Sequence, residues 1–195
     1  MKCAAVISLK TGWMLFLMHF AVLRVSQKLK KNNLKILISI LFFVLFDRIT
    51  KNFFYTHFSH GQSTPFLGDI LRFTLVFNKG AAFGTMQEKS TFLIFISFLI
   101  LSFLIVFLFK NKDESLAMKT GITLIVSGAA GNLYDRIKYG HVIDFIDVDI
   151  PDIISGFTRW PVFNIADSCI TIGITIIILF TLFNRQEKPH ESDNS

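Results

Sequence analysis

Long apolar runs alternate with short polar breaks along this chain. Four runs approach the roughly 20 helical residues needed to cross a hydrocarbon core of about 30 Å. They are Ile36 to Tyr55, Thr91 to Phe109, Ala117 to Tyr134 and Asn164 to Phe183. The first and fourth reach that length only by taking in polar residues at one end. The third is rich in small residues, among them Gly121, Gly128, Ala129, Ala130 and Gly131, which suits close helix packing. Between the first two runs the period changes. Leu71, Phe73, Leu75 and Phe77 alternate with Arg72, Thr74, Val76 and Asn78, the pattern of a half-buried strand. A loop punctuated by Gly61, Pro65 and Gly68 precedes it, and Asn78-Lys79-Gly80 supplies turn chemistry after it. A small β element on the outer surface is expected, and an extended substrate could pair with its edge. Between the third and fourth runs, Ile137 to Phe163 mixes apolar residues with Asp144, Asp147, Asp149 and Asp152. That mixture suits a loop or short helix on the membrane surface, with Trp160 in the interfacial belt. The predicted fold is an all-α membrane protein: a four-transmembrane-helix bundle with a small extracytoplasmic β element, or cradle, and a periplasmic surface loop or helix.

Composition agrees with a membrane class. Hydrophobic residues make up 52% of 195, with 23 Phe, and the mean hydropathy is +0.53, too apolar for an ordinary soluble domain. The net charge of +6 does not point to nucleic acid, because no basic stripe interleaved with aromatics occurs in a soluble stretch. Lys28, Lys30, Lys31, Lys35, Lys110, Lys112, Lys119, Arg185 and Lys188 instead flank the apolar runs and, with four spans, share one side, taken as cytoplasmic. Residues 1–33 are read as a nonspanning N-terminal extension of unknown role. Its apolar stretch Thr11 to Leu23 is short for a span and lacks an A-x-A cleavage site, and an interfacial helix or short extra span stays open. Residues 34–183 form the membrane domain and residues 184–195 a polar cytoplasmic tail. Cys3 and Cys169 show no metal-ligand spacing, the DVDIPD stretch does not match a calcium loop, and no HExxH motif occurs, so neither metal nor cofactor is expected.

The polar residues inside the apolar runs need explaining, since a charge in hydrocarbon costs roughly 2.5 to 3.5 kcal/mol on insertion scales. They gather at one end of three spans: Asp47 and Lys51 in the first, Asn132, Asp135 and Arg136 in the third, Asn164 and Asp167 in the fourth. Four-span topology puts that end on the outer side. Asp47 and Lys51, four apart, share a helix face and can pair, as an interfacial anchor or as part of a site. Asp144, after the third span, and Asp167, in the first turn of the fourth, can face one pocket. Two carboxylates in a partly desolvated site share one proton and titrate as a unit. Such a pair can activate water and polarise a scissile carbonyl. Surface carboxylates at helix ends, or a proton or cation relay in a small transporter, use the same residues. A nonenzymatic assembly factor held together by its polar cluster is a further alternative.

The segments FNKGAAFG at Phe77 to Gly84, GNLYDRIKYGHVIDF at Gly131 to Phe145 and FNIAD at Phe163 to Asp167, in this order between four spans, resemble the bacterial lipoprotein signal peptidases (signal peptidase II). FDRITK at Phe46 to Lys51 resembles the family's first-helix motif, with Arg48 where Gln is more usual. The resemblance implies a membrane aspartic endopeptidase of the bacterial inner membrane, its site near the periplasmic face. Such an enzyme removes signal peptides from diacylglyceryl-modified prolipoproteins by cutting before the lipidated Cys. Asp144 and Asp167 fall on its catalytic aspartates. Asp47, Lys51, Asn132, Arg136 and Asn164 fall on its supporting polar residues, Asn78 on the amide of its cradle with Gly80 beside it, and Asp135 on a structural position. Phe83 and Gly84 are candidates for a flap over the substrate. The expected partners are the prolipoprotein and membrane lipid, with no nucleic acid and a monomeric enzyme.

Overall fold

A computed structural model describes residues 33–80, 90–111, 113–150 and 159–184. The chain divides into two compact units, Met1–Ile38 and Ser39–Ser195, and apart from the start of α1 every element below lies in the second. Helix α1 (33–57) leads into a hairpin of β1 (Ser63–Leu67) and β2 (Leu71–Asn78). Helix α2 (Ser90–Lys110), helix α3 (Leu116–Tyr139), strand β3 (Val142–Val148) and helix α4 (Ile165–Asn184) follow. Two helices, α2 over Thr91–Lys110 and α4 over Ile165–Asn184, are long and apolar enough to cross a membrane. On α2, Phe92, Phe95, Phe98 and Phe103 are exposed, a greasy surface of the kind lipid would cover. The N-terminal extension, Cys3, the candidate flap at Phe83 and Gly84, Asp152 and the polar tail lie outside the described residues.

Helix α3 starts where the Ser115 hydroxyl accepts the Met118 amide at 3.1 Å, an N-cap that satisfies an otherwise orphaned donor. It ends at Gly140, whose φ of 74° is a left-handed conformation that glycine adopts at little cost. Its amide reaches back to the Arg136 carbonyl at 3.0 Å. That stop turns the chain from helix to strand within two residues, which brings β3 to the end of α3. Helices α3 and α4 cross at glycine: a methyl group on Gly128 would overlap the Ala166 carbonyl oxygen, and one on Gly121 would lie 2.6 Å from the Ile177 side chain.

The sheet is antiparallel with order β1-β2-β3, and its registry sets Val76 opposite Asp144 and Asn78 opposite Val142. Asn78 and Asp144 are therefore diagonal neighbours on one face. Leu75, Ile143 and Phe145 join Phe54 of α1 in a buried cluster. The Phe54 and Phe145 rings stack 4.2 Å apart and Phe73 lies 4.9 Å from Phe54, contacts that each add about 0.5 to 1.5 kcal/mol to area burial.

Two local expectations are corrected. Val142–Val148 is a strand, not a surface loop or short helix. Its apolar positions 142, 143, 145, 146 and 148 mimic helical spacing, and pairing with β2 decides the outcome. Ser63–Leu67, read as loop, is likewise a strand. β2 is the central strand of the element, between β1 and β3.

Candidate active site

Helix α4 begins with a reciprocal cap. The Asn164 side-chain oxygen accepts the Asp167 amide at 2.9 Å, and an Asp167 carboxylate oxygen accepts the Asn164 amide at 3.3 Å. This is the capping-box arrangement with Asp at the third helical position. The positive end of the helix dipole also favours a carboxylate there. The sequence therefore fixes Asp167 for folding reasons before any chemistry is considered.

Asn164 has a second task. Its amide nitrogen donates to Asp144 Oδ1 at 2.6 Å, to Asn132 Oδ1 at 3.3 Å and to the Ile143 carbonyl at 3.4 Å. Asp144 Oδ2 takes a further hydrogen bond from Asn78 at 3.1 Å, and the Asn78 oxygen accepts the buried Gly80 amide at 3.1 Å. Asp167 Oδ1 accepts from Asn132 at 2.7 Å. One asparagine thus touches both aspartates, and two others hold one each. Asp144 is 1% exposed. Burial, and secondarily the charge of Asp167, pushes its carboxyl up to about 7, while Asn78, Asn164 and the charge of Lys51 pull the other way.

Beneath the pair lies a buried ionic cluster. The Lys51 ammonium, 0% exposed, is 3.0 Å from Asp47, 2.9 Å from Asp135 and 2.9 Å from the Asn132 oxygen, so its three donors meet three acceptors. Asp47 also accepts the Ala166 amide at 3.0 Å, gripping the start of α4 from α1. Arg48 pairs with Asp135 at 2.6 Å and Asp47 at 3.3 Å, and lies over the Tyr134 ring at 4.7 Å. Two cations and two carboxylates cancel, which limits the cost of burying charge. Asp135 further accepts the Ile143 amide at 3.3 Å, one residue before Asp144. Among the described residues Arg136 makes a long 3.5 Å contact to the Asn132 carbonyl, and its charge acts on Asp167, Asp144 and Asp135.

The residues offered as catalytic or supporting, Asp47, Lys51, Asn78, Gly80, Asn132, Arg136, Asp144, Asn164 and Asp167, fall in or beside this one network, as does Asp135, while Phe83 and Gly84 lie outside the described residues. Arg48, noted within the FDRITK motif, completes the charge balance. Among the described residues no group of His, Cys, Asp and Glu could hold a metal ion.

A family model described as Signal peptidase (SPase) II matches residues 38–183. The chain belongs to the signal peptidase II family. It is 37% identical over 139 residues to a lipoprotein signal peptidase of Clostridium tetani, covering 71% of this chain and 86% of that one. Its identity to a lipoprotein signal peptidase of Staphylococcus aureus (strain Newman) is 40% over 150 residues, 77% and 89% of the two chains. A solved structure described as a bacterial membrane enzyme superposes with a TM-score of 0.71 at 35% identity. The superposition covers 82% of this chain and 94% of that one. Membership in signal peptidase II and two apolar helices make this a bacterial membrane protein and a peptidase.

Proposed function

We propose that this protein is an aspartic endopeptidase that removes signal peptides from diacylglyceryl-modified prolipoproteins, with Asp144 and Asp167 as the catalytic pair. The observation that carries the reading is Asn164, whose side-chain amide donates to the Asp144 carboxylate and whose backbone amide donates to the Asp167 carboxylate, joining β3 and α4 in one hydrogen-bond network. The pair holds one proton. Its ionised member takes a proton from water as the oxygen attacks the scissile carbonyl, and the protonated member hydrogen-bonds to the developing oxyanion. Collapse of the tetrahedral intermediate breaks the C–N bond. The proton passes to the departing amine, now the N-terminus of the lipidated Cys, and the signal peptide leaves with a new carboxylate.

Asp47, Lys51, Asn132 and Arg136 support the pair from below, while Asn78 and Gly80 hold Asp144 from the sheet. In this reading α1 and α3 cross the membrane as well as α2 and α4. The polar cluster lies at the periplasmic side of the inner membrane, and the enzyme works as a monomer. The diacylglyceryl chains stay in lipid and deliver the bond to the membrane surface. A relay would need its acids near the midplane, whereas these gather at the helix ends that meet the sheet.

The test is cleavage of a diacylglyceryl-modified prolipoprotein by purified protein, with an unlipidated control. Wild type is expected to cut before the lipidated Cys, and folded Asp144→Asn and Asp167→Asn to lose turnover by at least about a hundredfold. Near-normal turnover in either folded variant would end the assignment.

A further inference from the structure

Asp144 and Asp167 sit on different elements, so the segment between them must hold β3 and the start of α4 at a fixed separation. The described part of that segment doubles back onto β3. Phe163 exchanges backbone hydrogen bonds with Ile146 at 2.8 and 3.0 Å, and the Trp160 amide donates to the Val148 carbonyl at 2.9 Å. This backbone pairing runs along the later half of β3, and a second, side-chain attachment reinforces it. Arg159 makes that second attachment. Its Nε donates to Asp147 Oδ1 at 2.6 Å and an Nη to the Asp147 carbonyl at 3.1 Å. The other Nη donates to the Asp69 carbonyl at 3.0 Å, in the β1–β2 turn.

Asp147 is itself buried, 6% exposed, and its remaining oxygen accepts the Thr74 hydroxyl of β2 at 2.6 Å. One guanidinium therefore ties the β1–β2 turn, β3 and the segment returning to α4 into one body. This geometry is specific to a planar fork, because an ammonium cannot reach an aspartate side chain, its own carbonyl and a third segment together.

We infer that Arg159, clasped on Asp147 and Asp69, is a positioning residue that fixes the separation of Asp144 from Asp167. The inference rests on the peptidase reading above. It touches no substrate and acts only through β3. Its loss therefore lowers the rate of the chemical step and leaves substrate affinity alone.

Asp144 faces Asp167 from α4, Lys51 from α1, Arg136 from α3 and Asn78 from β2. Loosening β3 moves it relative to all four. The charge of Asp167 helps to keep the proton on Asp144, so separating the two lets that proton leave at lower pH. The basic limb of the rate profile then moves down.

The experiment uses the full chain in detergent with the lipidated prolipoprotein, comparing wild type, Arg159→Lys, Arg159→Ala and Asp147→Asn. Arg159→Lys keeps a charge beside Asp147 and so keeps the fold. It is expected to lower kcat about tenfold to a hundredfold, the scale of a misplacement near 1 Å. KM is expected to stay within about twofold, with the basic limb displaced to lower pH. Arg159→Ala should fall at least as far. Unchanged kcat in folded Arg159→Lys overturns the inference, as does a rise in KM alone or a lower Tm with full turnover. Asp144→Asn assayed beside them separates the two claims: if it keeps turnover, the dyad fails and takes the clasp's role with it. If it is dead while Arg159→Lys is fully active, only the clasp fails.

Discussion

Replacing Lys51 with Met removes a buried charge while nearly conserving the length and volume of the side chain. Its ammonium lies within 3.0 Å of both Asp47 and Asp135, and all three groups are essentially sealed from solvent. Without it, two buried carboxylates share Arg48 alone, and the cluster goes from neutral to one net negative charge. Breaking one member out of a buried ionic network costs roughly 3 to 5 kcal/mol, far more than the ~0 to 1 kcal/mol of an exposed pair. The Asn132 oxygen also loses its donor, though Asn164 still reaches it at 3.3 Å. Reversible unfolding in mixed micelles is the assay, run as a double-mutant cycle with Asp135→Asn. Removing both charges restores balance, so the double variant is expected to be more stable than Lys51→Met, with a coupling above about 2 kcal/mol. A second readout is independent of stability. Lys51 helps hold the Asp144 proton affinity down, so its removal is expected to move the basic limb of the cleavage profile to higher pH. A cost below about 1 kcal/mol, or additivity in the cycle, would refute the view that this cluster is a mutually dependent unit.

Three further outcomes are expected. Gly128→Ala forces a methyl group onto the Ala166 carbonyl, with the Ile170 side chain 2.8 Å away. About 1 to 3 kcal/mol of stability should be lost by thermal unfolding, with activity reduced because Ala166 adjoins Asp167. Asn164→Ala removes the α4 cap, worth about 1 kcal/mol, and a donor to Asp144, and should lower kcat about tenfold to a hundredfold through mispositioning. The third concerns pH. Native Asp144 keeps its proton up to about 7, whereas its ordinary value is 3.8, so between these values the native state binds more protons than the unfolded chain. Stability should therefore fall as pH rises from 3.8 to about 7, by up to about 1.4 kcal/mol per pH unit. Asp144→Asn should flatten that dependence in unfolding curves collected across the range.

The helices and the site were legible because their causes are local. Asn164 and Asp167 three apart is a cap written in the sequence, and Asp47 and Lys51 four apart must share a helix face. β3 was not legible, since VIDFIDV carries an apolar spacing that a helix would also satisfy. Only the open partner face of β2 selects the strand, and that face is set 66 residues away at the Asn78 to Asp144 contact. β1 was hidden for a related reason. All five of its residues are exposed, so no burial period exists to be read. Arg159 escaped notice because a lone arginine acquires meaning only when folding brings a buried acid to it, here Asp147.

The same distribution explains how a polar site persists at the end of an apolar bundle. Asp144 is placed by a strand and held by two side-chain amides, neither of which brings a charge. Asp167 is placed by its own helix start and is partly exposed. The formal charges needed to orient α1, α3 and α4 are confined to the Asp47, Arg48, Lys51 and Asp135 quartet, which cancels internally. Among the described residues, separating the tasks in this way leaves the carboxylate pair without a cation in hydrogen-bond contact. A lysine or arginine bonded directly to either aspartate would favour loss of the shared proton. Amide donors favour the ionised form less than a bonded cation would, which in the proposed reaction keeps the pair able to exchange a proton with water and a peptide nitrogen.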